Sequence, residues 1–237
     1  TPRSTPYRAA RLLDAAALPP ADRYGALMEV FPPALREQLY ERELQEQIGS
    51  PQSAASLLGP PPAPGTAGLQ RLDAATYLPG DLLPKADLAS MAVSLELRSP
   101  LLDHTVLELG VALPERLLLD GRRGKVALRR AFAPLLPPEL AGRTKTGFGI
   151  PLGDWFRGPL RDVAGDLLLD RRARERERLR PAAVEALLAE HVSGRADHGH
   201  RLWCLLVLEL WQRCYVEAAE PPASPAALRT ALQPSAA

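Results

Sequence analysis

At 237 residues, with 46% hydrophobic and 24% charged residues, the chain is long enough to bury a real core, in one large or two small domains. A formal net charge of +1 excludes a general nucleic-acid or polyanion binder, because no excess of cations drives counterion release. Aromatic residues make up only 5%, so leucine and alanine must fill the interior.

Residues 1–20 mix Pro, Arg and Ala and carry no clean start signal. A short helical pattern runs from Asp22 to Phe31, Pro32 and Pro33 punctuate, and a charged helix with Leu35, Leu39 and Leu44 inward is expected through Gln47. Ser50 and Pro51 read as N-cap and first residue of another short helix ending at Leu58. The proline-rich run from Gly59 to Gly65 cannot be helix and reads as a linker. The expected organisation is therefore an N-terminal helical segment and linker over 1–65, a helical core region over 66–219 and a disordered tail over 220–237.

From Ala67 a helix with Leu69, Leu72 and Thr76 on one face runs to Leu78, where Pro79-Gly80 should break it. Asp81 is placed to cap the next helix, whose packed side is marked by Ala86, Ala89 and Val93. Glu96-Leu97-Arg98 precedes Pro100 and reads as extended, with a Glu–Arg or Arg–Asp pair fixing the turn. Asp103 caps a helix carrying Val106, Leu107 and Val111.

Residues 120–124 form a Gly-bounded turn before a helix from Lys125 to Phe132, and residues 142–149 form a Gly-rich cationic loop. The alternating charges of 170–180 predict a solvated helix or turn, and Pro181 starts a helix through His191. The last helix, about 199–217, places Trp203, Val207, Leu210, Trp211 and Cys214 at helical spacing. Leu202, Leu205 and Leu206 make it apolar almost all round, so it should be central to a core. Cys204 and Cys214, ten residues apart on that helix, are too distant to bridge at ~1.5 Å rise per residue. They read as buried thiols, as in a reducing cytoplasm. No convincing strand run, long uncharged apolar run or signal-peptide pattern is present.

Four pieces concentrate cations, carboxylates and glycines in order along 77–151: Tyr-Leu-Pro-Gly-Asp-Leu-Leu-Pro-Lys-Ala-Asp (77–87), Leu-Glu-Leu-Arg-Ser-Pro-Leu-Leu-Asp-His (95–104), Gly-Arg-Arg-Gly-Lys (121–125) and Arg-Thr-Lys-Thr-Gly-Phe-Gly-Ile-Pro (143–151). With Gly-Asp-Trp-Phe-Arg-Gly-Pro-Leu-Arg (153–161) and the segment 197–211, their order and wording resemble the C-terminal synthetase domain of the glutamine-hydrolysing asparagine synthases. That family's ATP pyrophosphatase signature, Ser-Gly-Gly-x-Asp-Ser, and its Gly-Asp-Glu-Leu-Phe-Gly-Gly-Tyr stretch have no counterpart here, and Thr1 is not the terminal Cys that many amidotransferases use to hydrolyse glutamine. The resemblance implies a mainly α fragment, the helical C-terminal half of an α/β adenine nucleotide alpha hydrolase-like synthetase domain whose sheet and ATP loop are missing.

The resemblance further implies a carbon–nitrogen ligase that adenylates aspartate with ATP and Mg²⁺ and lets glutamine-derived ammonia displace AMP to give asparagine. The isolated chain is expected to be inactive, either a truncation or a subunit that pairs with a separate N-terminal half, cytoplasmic, and without nucleic-acid or membrane partners. A β-lactam synthetase-like relative and a non-catalytic helical interaction module are the alternatives.

Lys145, between Arg143 and the Gly147-Phe148-Gly149 turn, is the expected catalytic residue. A compact cation on a closing loop can meet charge on phosphate and acyl oxygens. Lys125 follows Gly124 at a helix start and is the next cation for phosphate. It is not a Walker A lysine, since Leu119 replaces the first Gly and Val126 the Ser or Thr. Asp81 and Asp87 could orient substrate or hold magnesium-bound phosphate, although the family's Asp-Arg reads Asp87-Leu88 here. His191, His198 and His200 do not form a metal set: the His198/His200 pair, at a helix start, lacks supporting ligands and reads as capping or solvated. His104 reads as structural, and Cys204, mid-helix among leucines, is not expected to be a nucleophile.

Overall fold

The computed structural model describes residues 5–49, 65–121, 123–137, 139 and 149–218. They are mostly helical, with one two-residue hairpin, and divide into two compact units: Thr1–Leu57 with Gly149–Ala237, and Leu58–Phe148. The division joins the N-terminal segment to the C-terminal third and makes the 66–148 stretch a unit of its own. The helix expected over 50–58, most of the 59–65 linker, the 142–148 part of the cationic loop and the 220–237 tail lie outside the described residues.

The first unit begins with α1 (Thr5–Ala17), α2 (Pro20–Met28), α3 (Pro33–Leu39) and α4 (Arg42–Ile48). Arg11 Nη2 donates to the Leu27 carbonyl at 2.8 Å, placing a cation at the C-terminal end of α2. The single charged helix expected through Gln47 is two helices instead. Tyr40 leaves the helix to form an antiparallel bridge with Leu179, and the Glu41 N–H donates to the Arg178 carbonyl at 2.9 Å. Long-range backbone pairing outcompetes local helix propensity there.

In the C-terminal part, α10 (Leu152–Arg157), α11 (Arg161–Leu168), α13 (Pro181–Val192) and α14 (Gly199–Trp211) enclose the core, with α12 (Arg171–Glu175) at its edge. Phe156, Ala164, Leu167, Val184, Leu202 and Leu205 are buried in one cluster that also takes in Leu39. Full burial of each large apolar side chain contributes roughly 1.5–3 kcal/mol. Asp170 caps α12 by accepting from the Ala173 N–H at 2.9 Å. The C-terminal helix is central to this core, as expected, but through a different face. Leu202, Leu205, Leu206 and Glu209 are buried, whereas Trp203, Val207 and Trp211 are exposed. Cys204 is likewise exposed and only Cys214 is buried, so one of the two expected buried thiols is not. A π-helical turn, Gln212–Val216, continues α14 and buries Arg213.

The second unit carries α5 (Thr66–Ala75), α6 (Leu83–Met91), α7 (His104–Ala112), α8 (Glu115–Leu118) and α9 (Val126–Phe132). Pro79-Gly80 does not break the chain between α5 and α6. It runs through a π-helical turn, Leu78–Leu82, in which the Leu83 N–H bonds to the Leu78 carbonyl, and the wider turn accommodates the missing proline N–H. Val93 is 74% exposed and Ala89 is exposed, so the expected packed side of α6 is not its buried one; Ser90 is buried instead. The turn at 120–124 is a hairpin of β1 (Leu119–Asp120) and β2 (Arg123–Gly124), with Gly121 at φ 57 supplying the left-handed residue.

Candidate functional site

The expected site residues that the structure describes lie in the second unit. A groove of ≈ 690 Å³ there is walled by Pro79, Leu83, Asp87, Arg98, Ser99 and Asp103. Asp87 and Asp103 thus share one surface although sixteen residues separate them (103 − 87).

Asp103 caps α7: its Oδ1 accepts from the Thr105 N–H at 2.9 Å and from the Thr105 hydroxyl. Those bonds, the hydroxyl first, hold its carboxyl below the usual carboxylate range. Arg98 pairs with Glu96 at 2.7 Å, as the extended turn was expected to require, but both side chains are more than half exposed. Such a pair contributes about 0–1 kcal/mol.

Asp81 is not the N-cap expected of it. It sits within the π-helical turn and pairs with Lys85, one helical turn on, at 3.4 Å. A residue already inside a helical turn cannot adopt the extended backbone of a cap. Lys125 is exposed and is the N-cap residue of the seven-residue α9, in the left-handed conformation at φ 61, ψ 38. Left-handed backbone costs a lysine roughly 1–2 kcal/mol that a glycine would not incur. Lys145 lies outside the described residues. Among the described residues, no group of three or more His, Cys, Asp or Glu side chains is poised for a metal, and no helix is long and apolar enough to cross a membrane.

Two polar clusters in the first unit escaped the sequence reading. His191 is wholly buried; its Nε2 donates to the Gly153 carbonyl and its Nδ1 accepts from the His198 N–H, both at 2.9 Å. His198 is buried too, bonded to Glu190 and to Arg201 at 2.8 Å each, so it is neither solvated nor a side-chain cap. The second cluster is ionic. Arg213 is fully buried between Glu209 and Asp170, the latter at 2.8 Å, and its Nη1 finds no partner among the described residues. Arg176 makes a fork to Glu209 and a further contact to Glu217. The 170–180 run is therefore only partly solvated.

The signal for His191 was present: Val184, Leu187, Leu188 and His191 recur at i, i+3, i+4 and i+7 on the buried face of α13. The ionic reach of Asp170 to Arg213 and of Arg176 to Glu209 had no local signal, because those partners lie more than thirty residues away.

The described residues define a helical protein with a carboxylate-edged groove and a strained lysine beside a tight turn. The asparagine synthase family model matches residues 7–213, and the chain belongs to that family. It is 39% identical over 157 residues to a putative glutamine-hydrolysing asparagine synthetase of Mycobacterium bovis, covering 66% of this chain and 24% of that protein. The putative asparagine synthetase of Mycobacterium tuberculosis matches with the same identity and coverage. Asparagine synthetase 1 of Bacillus subtilis is 26% identical over 218 residues, 89% of this chain and 33% of its own length. The chain therefore spans 24% to 33% of the length of these curated relatives. No solved structure matches it significantly.

Proposed function

We propose that the chain is the helical part of a glutamine-dependent, ATP-consuming asparagine synthase. In this reading the aspartate side-chain carboxylate is activated as an acyl-adenylate and glutamine-derived ammonia displaces AMP. The match to the asparagine synthase family across residues 7–213 is the observation that carries it. The nucleotide loop and glutaminase come from further sequence, in the same polypeptide or a separate one, and the reaction proceeds in the cytoplasm. The finer fold, the helical half of an adenine nucleotide alpha hydrolase-like domain, belongs to the same proposal. Pairing with such a remainder is supported by the exposed, apolar outer line of α14 and the π-helical turn after it: Trp203, Val207, Trp211 and Tyr215.

Within this reading Lys145 is the catalytic cation, stabilising negative charge on phosphate and acyl oxygens. Lys125 faces phosphate; its left-handed backbone supports this, because strain of that kind concentrates at functional positions. Asp87 meets substrate or a magnesium-bound phosphate at the groove. Asp81, already paired with Lys85, orients rather than binds. Mg²⁺ is commonly held by one or two carboxylates plus substrate phosphates, and Asp87 and Asp103, the latter through the Oδ2 not bonded to Thr105, would be the carboxylates of the groove to hold it. When bound, the ion neutralises phosphate charge.

The test is Lys145→Ala in the full-length enzyme. Loss of one preorganised charge stabiliser lowers the synthetase rate by about 10²–10³. Glutaminase activity stays near that of the parent. Asparagine formation at the parental rate would remove Lys145 from the site.

A further inference from the structure

His191 joins three elements at one point. It stands in the last turn of α13, donates from Nε2 to the Gly153 carbonyl in α10, and accepts at Nδ1 from the backbone N–H of His198, immediately before α14. The two bonds fix the neutral Nε2–H tautomer, because only an unprotonated Nδ1 can accept. The ring is wholly buried, edge-on to Phe156 at 6.4 Å between centroids. A second acceptor waits beside it. The Asp197 Oδ1 lies 3.7 Å from Nδ1 and now accepts from the Gly199 N–H, at 3.0 Å, in the first turn of α14.

We propose that His191 is an acid-sensitive latch on the start of α14. A proton taken from solvent onto Nδ1 sets two donors, the ring N–H and the His198 N–H, against each other. The charged ring is then satisfied by turning to the Asp197 carboxylate, which has acceptor sites to spare beside the Gly199 N–H. One protonation thereby removes the His198 backbone bond and frees the first turn of α14 from α13, while the Nε2–H bond to α10 remains.

The surrounding charges are mixed. Arg157 of α10, whose Nε donates to the His191 carbonyl at 3.1 Å and which also meets Asp154, disfavours the charged ring. Asp197 favours it, and His198 disfavours it when charged. Glu190 is committed to His198, with Arg195 nearby, and Arg201 of α14 donates to His198 and to the Val30 carbonyl. Burial is the largest influence and holds the ring's pKa below its ordinary value. The intact latch therefore persists above the ordinary histidine pKa of about 6.5 and is lost as pH falls from there through the lowered folded value.

The test follows the amides of residues 197–203 in the 237-residue chain by hydrogen exchange between pH 7.5 and 4.5, corrected for intrinsic rates. One extra proton in the open state raises the opening constant about tenfold per pH unit in that window. An opening constant that does not change with pH overturns the latch. His191→Gln, which keeps a donor for the Gly153 carbonyl but does not titrate, should abolish the slope. His198→Gln should preserve it, and loss of the slope there would move the titration to His198 and overturn the proposal. If His191→Gln fails to fold, ¹⁵N NMR of the parental His191 ring decides. An Nε2–H tautomer at pH 7.5 that gains an Nδ1 proton on acidification supports the latch, and an Nδ1–H tautomer overturns it.

Discussion

At the scale of single residues, tight packing falls where the chain carries no local mark of it. Gly199 lets the start of α14 rest on α10: a Cβ there would stand 2.8 Å from the Gly153 nitrogen and 3.0 Å from its Cα. Those are backbone atoms and cannot swing away, so Gly199→Ala should destabilise the protein by about 1–3 kcal/mol. Gly165, inside α11, is the control. Nothing lies within 4 Å of its would-be Cβ, and Gly165→Ala should stabilise by up to about 1 kcal/mol through helix propensity. Urea denaturation of both variants checks the pair, with the midpoints moving in opposite directions. The sequence could not separate these two glycines, because the partner of Gly199 lies forty-six residues away (199 − 153). Lys125 was legible as a residue of interest from its place after Gly124, but not its left-handed backbone.

At the scale of elements, α14 was legible as a long apolar helix and illegible in its orientation. Leucines and tryptophans surround it, so apolarity alone cannot choose a face. The choice is written in the polar residues. Leu202, Leu206, Glu209 and Arg213 step by four, three and four along the buried line, whereas Trp203, Val207, Trp211 and Tyr215 step by four along the exposed one. A buried Glu209–Arg213 pair is tolerable only because Asp170 and Arg176 complete it. Arg213→Ala leaves Glu209 and Asp170 short of a partner and should cost about 3–5 kcal/mol. The outer end of the network should matter less, since Glu217 is partly exposed. Arg176 and Arg172 hold the Glu217 carboxyl at about 2, hydrogen bonding from Arg176 being the largest cause. Because its folded pKa is depressed, its contribution is present above the ordinary value of 4.5 and is lost as pH falls toward about 2. Urea midpoints at pH 7 and pH 3 separate the two effects: Glu217→Gln should approach the parent at the lower pH, while Arg213→Ala should not.

At the scale of the whole molecule, helix dominance was legible because a period of 3.6 recurs along the chain and alternation does not. The pairing of the N-terminal segment with the C-terminal third was not, since it rests on long-range contacts: the bridge between Tyr40 and Leu179, the backbone bonds beside it, Arg201 reaching the Val30 carbonyl, and Leu39 entering a distant core. That discontinuity has a consequence in time. Leu39 shares its cluster with Leu152 and Leu206, so the first unit cannot close until the chain has been made as far as Leu206. The second unit is continuous in sequence and faces no such wait. Closing a long loop costs entropy before any contact repays it, and non-local contacts slow folding. In refolding followed by pulsed hydrogen exchange, amides of α5 and α7 should gain protection before those of α3 and α13; simultaneous protection would refute this order. On the ribosome, residues 33–48 must then stay unpaired while more than a hundred further residues emerge. The segment Pro33–Leu39 is thus open to chaperones and proteases throughout that interval, although its Leu39 ends among the least accessible side chains in the folded protein.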